Sequence, residues 1–319
     1  MIDDPLETAR LLIPDEVAIR ENISGTAKRF AYYTSAETAL RILQNKEIWM
    51  RNTACMNDYG EISYGTNLLV RAFNSEAGNS FRAAINELDH TIADKVLNDI
   101  DKWLKAFPLT TYVVCVSEHE NSENELGRLS MWRAYGGGSG VALIFRGDPF
   151  TAETDDLGAY SFPVRYAGEA EVSAQVMSLA RRIHDNAKVL ANHDKSDIIF
   201  YLRTTLISWI LCTKHAAFRE EREWRVVHSP ALGPPEGLDT EIVSVHGIPQ
   251  RIYKIPLKMT TGEIPIDLSP TAILEGILIG PTYFPMVSYE AFGEVLREIG
   301  FENPYERIRL TNIPLRQEA

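Results

Sequence analysis

Cysteine is scarce in this chain of 319 residues, and the three present, Cys55, Cys115 and Cys212, lie far apart with no Cys-x-x-Cys spacing. That pattern excludes a zinc knuckle and a dithiol redox pair, and the odd count suits a reducing compartment. Positive charge is also in short supply. Lys and Arg number 32 against 44 Asp and Glu, a formal charge of -12, so the chain as a whole exerts no attraction on nucleic acid or anionic membrane. Any nucleic-acid contact has to be local. Long apolar runs are missing too: Leu206 to Cys212 is the most apolar stretch, far short of the roughly 20 residues that cross a bilayer. The opening residues, MIDDPLETARLLIPDE, are acidic and interrupted by proline. They lack the basic start and continuous apolar core of a secretory signal, so a cytoplasmic protein without membrane partners is expected.

Common catalytic signatures are absent as well. There is no Walker loop and no His-Glu-x-x-His helix; His119-Glu120-Asn121-Ser122-Glu123 comes nearest but lies in a polar loop. Gly137 to Val141 lacks one glycine of a nucleophile elbow and precedes a strand, so neither that elbow nor a dinucleotide fingerprint is expected.

What is present reads as an α+β domain. Phe30 to Tyr33 forms a strand, Thr34 and Glu37 a capping box for the helix carrying Ala36, Ala39, Leu40 and Leu43, and Glu47 to Arg51 a second strand. Phe81, Ile85, Leu88, Ile92, Val96, Ile100 and Trp103 recur at helical spacing behind a Ser80 cap. Strands are expected at Thr110–Ser117, Val141–Phe145, Tyr160–Tyr166, Glu223–Val227, Arg251–Leu257, Ile273–Ile279 and Tyr305–Leu310. Helices are expected over Glu169–Asn192, Asp197–Ala216 and Ser288–Ile299. The architecture predicted is a polar leader over residues 1–28 and one α+β domain over 29–319. Its central mixed or antiparallel sheet is interrupted by helical inserts at about 61–106 and 169–216.

Lys214-His215-Ala216-Ala217-Phe218-Arg219-Glu220-Glu221-Arg222-Glu223-Trp224-Arg225 is the segment richest in chemistry. If Glu221 to Val227 is extended, Glu221, Glu223 and Arg225 share one face and Arg222, Trp224 and Val226 the other. That face is either a salt-bridged surface or a carboxylate oriented by Arg225 and Lys214 for catalysis. Trp132, Arg133 and Tyr135 beside the glycines of 136–140 suit stacking a flat ring and pairing a phosphate, or simply core packing of Trp132. Asn57-Asp58-Tyr59-Gly60-Glu61 joins a strand to a helix, and Asp58 or Asn57 reads as the cap of that helix.

Several short motifs together resemble one bacterial family, a domain of unknown function numbered twenty-nine seventy-one. They are Tyr32-Tyr33-Thr34-Ser35, Asn57-Asp58-x-x-Glu61, Cys115-Val116-Ser117-Glu118, Trp132-x-x-Tyr135, Gly140 to Phe145, Lys214-x-x-x-Phe218-x-x-Glu221-x-Glu223-Trp224-Arg225 and Ile279-Gly280-Pro281. The likeness runs from Phe30 to Arg316. Members more often read Tyr-His-Tyr-Thr-Ser at the first motif, so Tyr32 stands where histidine is expected. A more distant likeness is to the ADP-ribosyltransferase fold, in which an early strand bearing His or Arg and a late Glu-x-Glu hold NAD.

That likeness implies an NAD-dependent ADP-ribosyltransferase-like enzyme, with NAD as substrate, no metal and an acceptor of unknown class, acting as a toxin or phage-defence effector. Glu223 would stabilise the oxocarbenium-like ribose and Glu221 would act as general base toward the acceptor. Tyr32 would occupy the histidine position at the cofactor, Tyr33 and Tyr135 would flank nicotinamide, Thr34 and Ser117 would hydrogen-bond NAD, and Arg133 would meet its pyrophosphate. Two alternatives stand beside this: a non-catalytic nucleotide-sensing or protein-interaction module in which Glu221 and Glu223 merely hold Arg225, and a metal-dependent nuclease built on Asp58, Glu61, Glu221 and Glu223.

Overall fold

The computed structural model of the protein describes residues 5–24, 28–55, 59–151, 156–230, 232–235, 237–245, 247–261 and 265–314. In chain order it contains α1 (Pro5–Leu12), α2 (Pro14–Ser24), β1 (Arg29–Ser35), α3 (Ala36–Asn45), β2 (Glu47–Asn52), α4 (Tyr59–Phe73), α5 (Glu76–Leu88), α6 (His90–Thr110) and β3 (Tyr112–His119). There follow α7 (Leu129–Tyr135), β4 (Gly140–Arg146), β5 (Tyr160–Pro163), β6 (Arg165–Tyr166), α8 (Glu169–Asp185), α9 (Ala187–Leu190), α10 (Lys195–Leu211), β7 (Thr213–Lys214) and β8 (Glu223–His228). The chain closes with β9 (Asp239–Val245), β10 (Ile248–Pro256), α11 (Pro270–Ile273), β11 (Leu274–Ile279), α12 (Pro285–Glu298) and β12 (Ile308–Leu310).

The fold class is α+β, around a mixed sheet in which β11 and β12 run parallel and the other pairings are antiparallel. Its strand path is β12-β11-β4-β1-β3-β2-β10-β9, with β8 and then β5 branching from β3. One edge of β3 is paired with β8 from Tyr112 to Ser117. The other edge is shared: Ser117–His119 lie against Arg29–Ala31 of β1, and Tyr112–Val113 against Arg51–Asn52 of β2. After Ala31, β1 stays with β4 as far as Ser35 opposite Gly140, while β2 stays with β10. The sheet therefore splits along Val114–Val116.

Helices cover the two faces unequally. On one face α4, α5, α6, α8 and α10 pack on Val113, Val227 and Phe162, with Phe81, Val96, Val176, Leu202 and Leu206 buried between them. On the other, α3 and α12 bury Ile42, Leu43, Phe292 and Leu296 against Val141, Leu143, Ile277 and Ile279. Gly65 of α4 lies so close to α10 that a Cβ would sit 2.2 Å from the Ile210 carbonyl oxygen. The inserts are thereby locked together by backbone contact.

Several local expectations shift. β1 continues through Ser35, so the cap of α3 is Ser35, accepting from Thr38 N at 3.2 Å, rather than Thr34. Lys46, in the left-handed region at φ 53°, ends that helix, its N–H bonding the Ile42 carbonyl. The first insert is three helices, capped at Ser75 and Asp89 instead of Ser80, because the bends at 74–75 and 89 need side-chain acceptors for new N–H groups. The 160–166 strand divides into β5 and β6 because it changes partner: Val164 N still bonds the Glu223 carbonyl in register with β8, whereas Arg165 N bonds the Cys212 carbonyl and β6 runs beside β7. β9 was not expected; its residues are mostly exposed, and an edge strand with no buried face leaves no alternation to read. The stretch expected as a polar leader forms α1 and α2, and Leu12 is fully buried in the helical core.

Candidate functional site

Strand alternation decides where each candidate residue lies. Cys115 is opposite Arg225 and Ser117 opposite Glu223 across β3 and β8, and all four project to the face covered by the helical inserts. Ala31 of β1 lies opposite Ser117, which puts Tyr33 on that same face. Tyr32 and Thr34 alternate to the opposite face. Extended structure begins at Glu223; Glu221 comes from the 3-10 turn Ala216–Glu221 before it, with Arg222 at φ 44° reversing the chain. The expected single strand face carrying Glu221, Glu223 and Arg225 is thus a strand pair plus a turn. Glu221 nevertheless reaches the same cation as Glu223.

That cation is Lys214, 1% exposed, whose Nζ donates to Glu221 Oε2 at 2.7 Å and to Glu223 Oε2 at 3.2 Å. Arg225 donates Nε to Glu223 Oε1 at 2.7 Å and Nη2 to Oε2 at 3.3 Å. Its Nη1 donates to the Leu211 carbonyl at 2.6 Å, so the guanidinium also sits at the negative end of α10. The Glu223 N–H donates to the Tyr166 hydroxyl at 2.8 Å. Burial alone would raise the Glu223 carboxyl, but Arg225 and then Lys214 outweigh it and hold it at about 2. Burial and the neighbouring Glu223 charge push the Cys115 thiol well up, so it stays protonated. Glu223, 7% exposed, is an ionised carboxylate with both oxygens engaged inside the protein.

Arg128 extends this network and escaped the sequence reading. Its guanidinium donates to Glu123 Oε1, to Ser117 Oγ at 2.6 Å, to the Glu221 carbonyl at 2.9 Å and to the Glu118 carbonyl at 2.9 Å. Ser117 Oγ in turn donates to the Glu221 carbonyl. An arginine beside the acidic 118–125 loop was the available signal: Arg128 pairs with Glu123, the carboxylate of that loop that is buried. Tyr33, raised to about 12 by burial, accepts from Arg128 N at 2.9 Å and packs edge-on to Trp132 at 4.8 Å. Trp132 is core: 3% exposed, with Gly280 so close that a Cβ there would lie 2.6 Å from its ring. Tyr135 packs beside that cluster, whereas Arg133 is exposed on α7.

A cavity of about 820 Å³ has its strand floor on the opposite face, in the split, and extends past β5 to α10 and α1. Tyr32, Val114, Val116 and Val226 form its floor, with Phe145, Phe150, Ile255 and Leu257 along one side and Tyr201, Thr205 and Ser208 of α10 at one end. Ala9, Ile13, Glu16 and Val17 of α1 and α2 close it. Among the described residues its charged lining residues are Glu16 and Glu21. Burial raises Tyr32 to about 12, so its phenol is a neutral hydrogen-bonding group. Glu221, Glu223, Ser117, Tyr33, Arg133 and Tyr135 do not line this cavity. The candidates therefore divide into a buried polar cluster on one face and a cavity on the other.

Asn57 and Asp58 lie outside the described residues. Among the described residues no three His, Cys, Asp or Glu side chains gather as a metal site would require, and no helix is long and apolar enough to cross a membrane. No curated protein and no solved structure matches the chain. A family model does match residues 131–226, from α7 through β8, including Lys214, Glu221, Glu223 and Arg225. That model is the one described as Protein of unknown function (DUF2971).

Proposed function

We propose that the protein is a non-catalytic ligand-binding module whose cavity, in the split between β1 and β2, takes a small and largely apolar molecule. The observation that carries this reading is the separation of cavity and carboxylates: the strand floor Val114, Val116 and Val226 alternates away from Ser117, Glu223 and Arg225, and neither Glu221 nor Glu223 lines the cavity. A volume near 820 Å³ is in the range of small-molecule sites, and apolar walls with a few hydroxyls are their usual lining. A dinucleotide fits poorly, because its pyrophosphate would meet Glu16 and Glu21 and its polar sugars a lining that is otherwise mostly apolar. Glu221 and Glu223 then serve the fold by neutralising Lys214 and Arg225.

The test is titration with an uncharged naphthylamine dye that fluoresces in apolar surroundings, against the wild type and Val226→Trp. The indole would fill part of the cavity floor without touching the Glu223 cluster. Saturable binding by the wild type and a loss of about tenfold or more in the variant, with unchanged melting, is the expected result. Equal binding by both proteins would sink the reading.

The transferase reading stands second, on the observation that Ser117 directly opposes Glu223 beside the split. It requires the Lys214 and Arg225 contacts to open so that a ribose can reach Glu223. Release of nicotinamide from NAD by the wild type, abolished in Glu223→Gln, would establish it.

A further inference from the structure

Resting on the ligand-binding reading, we infer that the ligand carries a carboxylate, which replaces Glu16 on Arg165 and releases α2 from the cavity. Arg165 of β6 stands directly behind the cavity's polar end. It donates to Glu16 of α2 and, through Nη1, to Ser208 Oγ at 3.3 Å, and both partners line the cavity. The Glu16 and Arg165 side chains are 18% and 17% exposed, a largely desolvated pair in which a guanidinium fork matches any carboxylate. One turn from Ser208, Thr205 Oγ1 is buried without a hydrogen-bond partner, and Thr205 also lines the cavity. An unsatisfied buried hydroxyl beside a carboxylate-binding arginine describes a head-group site, while Val114, Val116, Val226 and Leu257 describe the site of an apolar tail.

The two helices that close the cavity are held very differently. α1 buries Thr8, Ala9 and Leu12, its Thr8 Oγ1 is 2.6 Å from His193 Nδ1, and Arg182 Nε donates to the Leu12 carbonyl at 3.0 Å. None of the described side chains of α2 is buried. Two further ion pairs reach it, Arg182–Asp15 at 3.9 Å and Arg10–Glu21 at 3.4 Å, in which Asp15, Arg10 and Glu21 are solvent-exposed, so that each pair contributes little. Glu16 therefore acts as a tethered stand-in for the ligand's own anion, and a carboxylate that takes its place leaves α2 free to swing about Ile13-Pro14.

The experiment compares decanoate with decanol as competitors of the uncharged dye, in the wild type, Glu16→Gln and Arg165→Gln. Removing the tethered carboxylate should strengthen decanoate binding about tenfold and leave decanol unchanged. Arg165→Gln should erase the preference for decanoate while keeping decanol affinity. In the wild type, decanoate alone should speed hydrogen exchange across residues 14–24. Decanoate affinity that is unchanged in Glu16→Gln, or a preference that survives Arg165→Gln, would overturn the head-group assignment and leave the cavity reading standing. Should neither competitor displace bound dye, the proposal is also overturned; failure of the dye itself to bind would instead remove the cavity reading beneath it.

Discussion

Neutralising Glu223 separates a structural carboxylate from a catalytic one. In Glu223→Gln, Lys214 loses one carboxylate partner and keeps Glu221, and Arg225 keeps the Leu211 carbonyl but faces a neutral amide. Both cations are at most 5% exposed, so water cannot compensate. Breaking a buried ion pair from one side costs about 3–5 kcal/mol. The lowering of the Glu223 carboxyl from the ordinary 4.5 to about 2 corresponds to a similar magnitude, about 3 kcal/mol of stability at neutral pH. Because the folded-state value lies below the unfolded one, that contribution is present above pH 4.5 and is lost as pH falls toward 2.

Thermal and urea unfolding of the wild type and Glu223→Gln, from pH 7 down to pH 2, read both effects. The variant should melt about 5–10 °C lower at pH 7, at roughly 2 °C per kcal/mol for a chain of this size. The gap should close as the medium is acidified. A variant that melts with the wild type or above it at pH 7 would refute the reasoning, since residues kept for chemistry at a cost in stability behave that way when neutralised.

Other substitutions follow from single contacts. Arg128→Lys should destabilise by about 2–4 kcal/mol, because a point cation cannot serve Glu123, Ser117 and two carbonyls at once; equal urea midpoints would contradict this. Gly65→Ala should lower stability by about 1–3 kcal/mol, since its methyl group meets the Ile210 backbone. Differential scanning calorimetry measures it, and no shift would mean that α4 and α10 separate freely. Cys115 and Cys212 should resist a thiol reagent until the protein unfolds, the first because its thiol is held protonated and the second because it is buried. Rapid native labelling of either, mapped by mass spectrometry, would be inconsistent with that packing.

How much of this could be read in the sequence depended on periodicity and on burial. Val141–Phe145 and Thr110–Ser117 were legible because β-branched and apolar runs between turns have one stable placement, inside a sheet. The convergence of Lys214, Glu221, Glu223 and Arg225 was legible because it is local, within twelve residues. Its burial was not, since covering it takes α4, α6 and α10, whose packing no local pattern specifies. Tyr32-Tyr33-Thr34 read as one motif, yet alternation sends Tyr33 to the polar cluster and Tyr32 to the cavity. Arg128 was missed because its partners come from three separate segments, and α2 because its role is to lean on a cavity formed by residues more than a hundred positions away.

The most direct test of the central claim measures dye affinity and NAD turnover side by side in the wild type, Val226→Trp and Glu223→Gln, at a temperature where circular dichroism shows all three folded. The account predicts dye binding that Val226→Trp weakens about tenfold and Glu223→Gln leaves intact, with no nicotinamide released by any of them. Dye binding insensitive to Val226→Trp, together with nicotinamide release that Glu223→Gln alone abolishes, would contradict it and place the function on the carboxylate face.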